Sequence, residues 1–129
     1  MTATILYIED NPLNMRLVRK LVKSFGYNMI EAMDGITGLN MVKNERPDLV
    51  LVDVNLPGMD GLEIASTMKA TPELASIPTI ALTANAMHGD RERCLAAGCD
   101  AYIAKPIARQ ELFNTLNRFL SDDSQIAAS

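Results

Sequence analysis

The sequence predicts an α/β fold, a five-stranded parallel sheet with helices wound on both faces. Five short runs rich in apolar residues alternate along the 129 residues with five longer stretches of helical periodicity, the pattern of a parallel sheet built by crossovers. The clearest of these runs, Leu49-Val50-Leu51-Val52, is apolar without alternation, as a strand covered on both faces must be. Several runs also lead into residues that stop regular structure, such as Asn11-Pro12, Asp34-Gly35 and Pro57-Gly58.

The first strand is expected over residues 4–8 and runs into Glu9-Asp10. Asn11-Pro12 then opens a helix, with Asn as cap and Pro at the first helical position. Leu17, Val18, Leu21, Val22 and Phe25 recur at helical spacing, while Arg16, Arg19, Lys20 and Lys23 read as its solvated face, and Gly26 ends it. A second strand is expected over 27–31 and a second helix over 36–44, with Leu39 and Val42 inward. Pro47-Asp48 precedes the strand at 49–52, which delivers Asp53 into the turn Pro57-Gly58 and Gly61. A third helix carries Leu62, Ile64, Ala65 and Met68, and a loop opened by Thr71-Pro72 leads to a fourth strand over 77–83. A charge-rich fourth helix over 89–97, a fifth strand over 101–104 and a last helix over 109–120, burying Leu112, Phe113, Leu116 and Phe119, complete the set. Residues 1–121 therefore read as one domain, and 122–129 as a flexible tail. Right-handed crossovers leave few ways to wind such a sheet, and the doubly wound, flavodoxin-like strand order 2-1-3-4-5 fits, with a crevice where strands 1 and 3 diverge.

Composition narrows the function classes. A formal net charge of −4 argues against a nucleic-acid-binding surface, which needs a basic patch. No apolar run approaches the ~20 residues of a membrane span and no signal-peptide pattern opens the chain, so a cytoplasmic protein is expected. Cys94 and Cys99 lack a CxxC or His/Cys ligand spacing and read as free packing thiols, and His88 as a solvated residue near a helix start.

The polar residues at the strand ends carry the chemistry. The first strand ends in Glu9-Asp10, the third in Asp53, the fourth in Thr83 and the fifth in Lys105. Alone, Asp53 reads equally well as a residue capping a turn. Together these residues lie on the carboxyl edge of the sheet, where open α/β folds place their sites. Three converging carboxylates repel one another, and a divalent cation relieves that. Oxygen ligands favour Mg2+, which keeps several waters and takes one or two carboxylates plus phosphate oxygens. A lysine can neutralise a phosphoryl oxygen, a hydroxyl can donate to another, and an aspartate nucleophile can form an acyl phosphate. That set of groups describes a phosphoryl acceptor.

With these residues in place, the chain from 5 to 120 resembles the receiver domains of two-component response regulators. The resemblance rests on Glu9-Asp10, on Asp53 followed by Leu56-Pro57 and Gly61, on Ala81-Leu82-Thr83-Ala84, and on Tyr102 with Lys105-Pro106. It implies that Asp53 accepts a phosphoryl group from a histidine kinase or histidine phosphotransfer protein of a phosphorelay. It implies that Asp10, Asp53 and the backbone carbonyl of Asn55 hold Mg2+, with Glu9 acting mostly through water. Lys105 would contact the phosphoryl group across a cis bond to Pro106, and Thr83 and Tyr102 would couple phosphorylation to the surface of the fourth helix, fifth strand and fifth helix, where partners bind. Such a domain catalyses its own phosphorylation and dephosphorylation and is not a turnover enzyme. The acidic pair is Glu-Asp where Asp-Asp is commoner, and Asn55 and Asn85 stand where the family tunes phosphoryl lifetime. Because they border the crevice, Asn14 and Met15 with Pro106 and Ile107 are expected to receive the donor. The start at Met1 favours a stand-alone regulator over a piece of a larger protein.

Two other classes fit poorly. A phosphohydrolase of the haloacid-dehalogenase kind needs a second aspartate two residues after the first, where Asn55 stands. A flavin carrier on this fold needs a hydroxyl- and glycine-rich phosphate loop after the first strand, where the carboxylates of Glu9-Asp10 would repel the phosphate.

Overall fold

A computed structural model describes residues 2–84 and 89–120. The strands are β1 (Thr4–Ile8), β2 (Asn28–Ala32), β3 (Leu49–Asp53), β4 (Thr79–Thr83) and β5 (Ala101–Ala104). The helices are α1 (Pro12–Ser24), α2 (Gly35–Glu45), α3 (Gly61–Ala70), α4 (Arg91–Ala96) and α5 (Arg109–Leu120). All pairings are parallel and the order is β2-β1-β3-β4-β5, as the sequence predicts.

Alternation along the strands divides the core into two layers. Ile5 and Tyr7, Leu49 and Leu51, Ile80 and Leu82, and Ile103 pack against Met15, Val18 and Val22 of α1 and Leu112 and Leu116 of α5. Leu6 and Ile8 with Val50 and Val52 face Leu39 and Val42 of α2 and Ile64 and Met68 of α3. On the same side, beneath α4, Ala81 joins Val54, Ala65, Cys94 and Cys99. Both cysteines are buried and unbridged. Burial pushes the Cys99 thiol up to about 12, which keeps it protonated.

Several boundaries move for identifiable reasons. The fourth strand starts at Thr79 rather than at 77, because Pro78 has no N–H to give and only its carbonyl joins the ladder, accepting from Val50 at 2.9 Å. The fourth α-helix, Arg91–Ala96, is shorter than the expected 89–97; residues 89–90 form a π-helical turn, and Gly89 and Gly98 on the two sides of the helix take positive φ of 78° and 107°. Helix α1 buries Met15, Val18 and Val22, so its inward stripe is displaced from the expected one, and Leu17 is exposed. Helix α3 carries the reciprocal capping box of Asp60 and Glu63, which fixes where the chain leaves the β3–α3 loop. His88, Asn85 and the tail from 121 on lie outside the described residues.

Candidate phosphoryl-acceptor site

The same alternation decides which strand-end side chains meet. Glu9 follows Tyr7, Asp53 follows Leu51 and Lys105 follows Ile103, so all three emerge on the α1/α5 side of the sheet, whereas Thr83 follows Ala81 to the other side. Asp53 is buried at the end of β3, and both its oxygens are held: Oδ2 accepts from Lys105 Nζ at 2.9 Å and Oδ1 from the Asn55 backbone N–H at 3.1 Å. The loop turns back tightly enough that a Cβ on Gly61 would lie 2.4 Å from the Asp53 carbonyl oxygen. Glycine is therefore required there by close approach.

Glu9 is also buried. Its Oε1 accepts from the Tyr7 hydroxyl at 2.8 Å and from Lys105 Nζ at 3.3 Å, and its Oε2 from the Asn11 backbone N–H at 3.2 Å. Asn11 meanwhile caps α1 by accepting from the N–H groups of Leu13 and Asn14, which sets the helix start beside the crevice. Asp10 is exposed at the mouth. Burial pulls the Lys105 pKa down, but the hydrogen bonds and charges of Asp53 and Glu9 outweigh it and hold the ammonium above its ordinary value. The Lys105–Pro106 peptide bond is cis.

Glu9, Asp10 and Asp53 each offer an oxygen within 4.8 Å of the others. Three carboxylates and one lysine leave two formal negative charges over, in an all-oxygen donor set. A hard divalent cation fits such a set. Glu9, with donors already on both oxygens, is suited to act through water.

On the other side of the sheet, Thr83 is buried and its hydroxyl donates to the carboxylate of Asp90, which in turn pairs with the guanidinium of Arg93. Tyr102 is part-buried against Ala81 and Cys94, and it lines a shallow concavity of about 210 Å³ with Arg91, Leu95 and Arg118. A wider concavity of about 730 Å³, lined by Thr4, Asn28, Arg46 and Asp48, lies at the opposite, amino edge of the sheet. Size alone thus points away from the edge where the carboxylates converge.

Sequence reasoning missed two residues and misplaced one. Tyr7 reads as core, yet strand parity puts it two residues before Glu9 on the same face, and a buried phenol needs a partner. Asp90 is hidden in a run of charges that reads as a solvated helix face, and nothing local signals that it turns inward. Met15, expected on the donor-facing surface, is only 2% exposed, because it packs in the α1/α5 layer. Leu13, on the first turn of α1, is 72% exposed.

The sequence pattern of the response regulator receiver domain matches residues 5–117. The polar-differentiation response regulators DivK of Brucella ovis and Brucella abortus (strain 2308) are each 43% identical over 122 residues, 95% of this chain and 99% of theirs. Among solved structures, the receiver domain of the sensor histidine kinase PA1611 from Pseudomonas aeruginosa, described with a magnesium ion coordinated in its active-site cleft, aligns with a TM-score of 0.87 at 39% identity, covering 94% of this chain and 99% of that one. A putative response regulator from Chloroflexus aurantiacus aligns with a TM-score of 0.90 at 26% identity over 94% of this chain and 99% of that one. Five parallel strands in this order, an acidic crevice at their carboxyl edge and these relatives have one reading: the chain belongs to the response regulator receiver domain family.

Proposed function

We propose that the chain is a phosphoacceptor switch of a two-component or phosphorelay system, in which Asp53 takes a phosphoryl group from a phosphohistidine donor. The observation that carries this reading is the Asp53 carboxylate itself, buried at a strand end with Lys105 on one oxygen and the Asn55 N–H on the other. A carboxylate held at two points presents its nucleophilic oxygen in a fixed direction, which removes much of the orientational cost of attack. An Asp53 oxygen attacks phosphorus, the P–N bond breaks, and its electron pair leaves with the imidazole of the donor, which takes up a proton. The products are an acyl phosphate and a neutral histidine.

Asp10, Asp53 and the Asn55 carbonyl are the proposed ligands of Mg2+, with Glu9 reaching it through water. When bound, the ion supplies positive charge between the carboxylates and the incoming phosphoryl oxygens. The Pseudomonas receiver, described with magnesium in its cleft, supports this assignment. Lys105 moves its charge from the Asp53 carboxylate to a phosphoryl oxygen, and Thr83 donates to another. Thr83 and Tyr102 together couple the state of Asp53 to the surface of α4, β5 and α5, which reports it to a protein partner. The donor, a histidine kinase or histidine phosphotransfer protein, docks over Leu13, Pro106 and Ile107. Residues 1–121 act as the receiver unit, and 122–129 as a tail. The chain acts in the cytoplasm, and its own catalysis is limited to accepting the group and releasing it to water.

The test is incubation with acetyl phosphate or phosphoramidate plus Mg2+, followed by intact mass. One phosphoryl group should add to the wild type and none to Asp53→Ala. Mass gained by the Asp53→Ala protein, or none gained by the wild type, would refute the assignment.

A further inference from the structure

Asp90 is a buried carboxylate that the phosphoacceptor reading does not use. It is 2% exposed at the start of α4, and its side chain makes no hydrogen bond to that helix's own N–H groups, the ordinary use of an aspartate in that position. One of its oxygens accepts from the Thr83 hydroxyl and the other from the Arg93 guanidinium. Burying a carboxylate is costly unless it is paired and hydrogen-bonded. Here both conditions are met, and one of the partners is the residue proposed to turn toward the phosphoryl group.

We propose that Asp90 is a positioning residue for Thr83: it holds the hydroxyl proton in the resting state and thereby sets how much phosphorylation of Asp53 must contribute to move the switch. The inference rests on the phosphoacceptor reading. A hydroxyl has one proton to donate. In the resting state that proton lies on the Asp90 carboxylate, on the face of the sheet away from Asp53. A phosphoryl oxygen on Asp53 competes for the same proton with comparable charge, so the two acceptors come near balance and small changes at either end shift the population. When Thr83 leaves, Asp90 retains Arg93, whose side chain is 58% exposed. The release is therefore transmitted to the solvent face of α4, beside Arg91 and Leu95 on the concavity that Tyr102 lines. A purely structural role, tying the start of α4 to β4, would need the same contacts but would not make the position of Thr83 depend on the charge of Asp90.

The discriminating experiment follows the Thr83 methyl resonance in methyl-labelled protein, with Mg2+ and increasing fluoroberyllate as the phosphoryl mimic, in wild type, Asp90→Asn, Asp90→Ala and Arg93→Ala. Losing a charged acceptor weakens the resting state, so Asp90→Ala should shift the resting-to-active ratio about tenfold or more toward active, and Asp90→Asn, which retains an acceptor without the charge, by less. Arg93→Ala leaves the Asp90 carboxylate with less compensation and a stronger hold on the hydroxyl. It should move the ratio the opposite way and raise the fluoroberyllate needed for half-conversion. Opposite signs at Asp90 and Arg93 separate a switch from a scaffold, because loss of a scaffold contact has one sign at both. Arg93 is mostly solvated, so that variant is informative even where Asp90→Ala fails to fold. A Thr83 methyl signal in Asp90→Asn with the wild-type position and fluoroberyllate dependence would overturn the proposal while leaving the phosphoacceptor reading intact. A wild type that neither gains phosphoryl mass nor responds to fluoroberyllate would overturn both.

Discussion

Replacing Tyr7 by phenylalanine removes one oxygen from the fully buried end of β1 and leaves the ring to fill the same space. The lost hydroxyl donates to Glu9 Oε1 at 2.8 Å, the shortest of the three hydrogen bonds that satisfy this buried carboxylate. Burial first, and the charge of Glu9 second, push the phenol's pKa far up, so it remains a donor into the alkaline range. A hydrogen bond to a charged group contributes about 1.5–3 kcal/mol, and removing its donor orphans nothing but part of Glu9. The apo protein should therefore lose about 2 kcal/mol, which for a chain of this size is a fall in Tm of about 8 °C. The sign of the metal effect follows. With Glu9 less satisfied, the excess negative charge near Asp10 and Asp53 is less well compensated, so a divalent cation stabilises the variant more than the wild type. Thermal unfolding in chelator and in saturating Mg2+ measures both, and Glu9→Gln with the double variant gives the coupling between the two side chains. A Tm loss under about 2 °C in chelator, or a gap between variant and wild type that widens with Mg2+, would refute the reasoning.

Leu13→Asp should slow transfer from a phosphohistidine donor at least about tenfold, since covering a largely exposed leucine is worth about 1.5 kcal/mol. It should leave uptake from acetyl phosphate at the wild-type rate; equal loss with both donors would place Leu13 outside the docking surface. Gly61→Ala forces a Cβ to within 2.4 Å of the Asp53 carbonyl oxygen, so overpacking should cost about 1–3 kcal/mol in unfolding and lower phosphoryl uptake in the folded fraction. In Glu31 the carboxyl is held below its usual range by the hydrogen bond from Arg19, with burial opposing and the Arg19 charge assisting. A lowered folded pKa means that its stabilisation is complete above the unfolded value of about 4.3 and fades as pH falls through the folded one, so the stability difference between wild type and Glu31→Gln should disappear in acid; a difference constant to pH 2 would contradict this. Thr83→Ala should silence the response of Arg93 to fluoroberyllate while Tyr102 still responds, read from their backbone amide shifts. Loss of both responses would mean a single route.

The fold was legible because parallel strands covered on both faces leave little room for polar residues, which confines those residues to the strand ends. Asp53, Glu9 and Lys105 could be placed on one edge without coordinates for that reason, and strand parity then puts them on one face. What stayed hidden depended on phase or on contact across the fold. Helix α1 carries two overlapping apolar arcs, Leu13-Leu17-Leu21 and Met15-Val18-Val22, and periodicity alone does not say which one meets the sheet. The structure buries the second and exposes Leu13 and Leu17. Asp90 lies seven positions beyond Thr83 among Arg91, Glu92 and Arg93, where a solvated face is the simplest local reading. Only the tertiary contact with Thr83 distinguishes it from its neighbours.

Among the described residues, the three buried carboxylates divide by face of the sheet, and that division shapes how a charge change at Asp53 can travel. Glu9 and Asp53 share Lys105 on the α1/α5 side, while Asp90 sits across the sheet with Thr83 and Arg93. Thr83 and Lys105 are joined through the backbone, since the Lys105 N–H donates to the Thr83 carbonyl at 2.8 Å and Thr83 pairs with Ala104 in register. Their side chains thus serve different carboxylates from adjoining strand ends. On the proposed reading, a phosphoryl group on Asp53 would act on both at once, drawing the ammonium of Lys105 and competing for the hydroxyl of Thr83. The first pull would fall on β5, which carries Tyr102 three residues before Lys105; the second would fall on Asp90 and, through Arg93, on α4. Helix α4 and Tyr102 need not be two links in one chain. They can be the ends of two short routes that start from neighbouring atoms, and the backbone bond between Lys105 and Thr83 keeps those starting points in register.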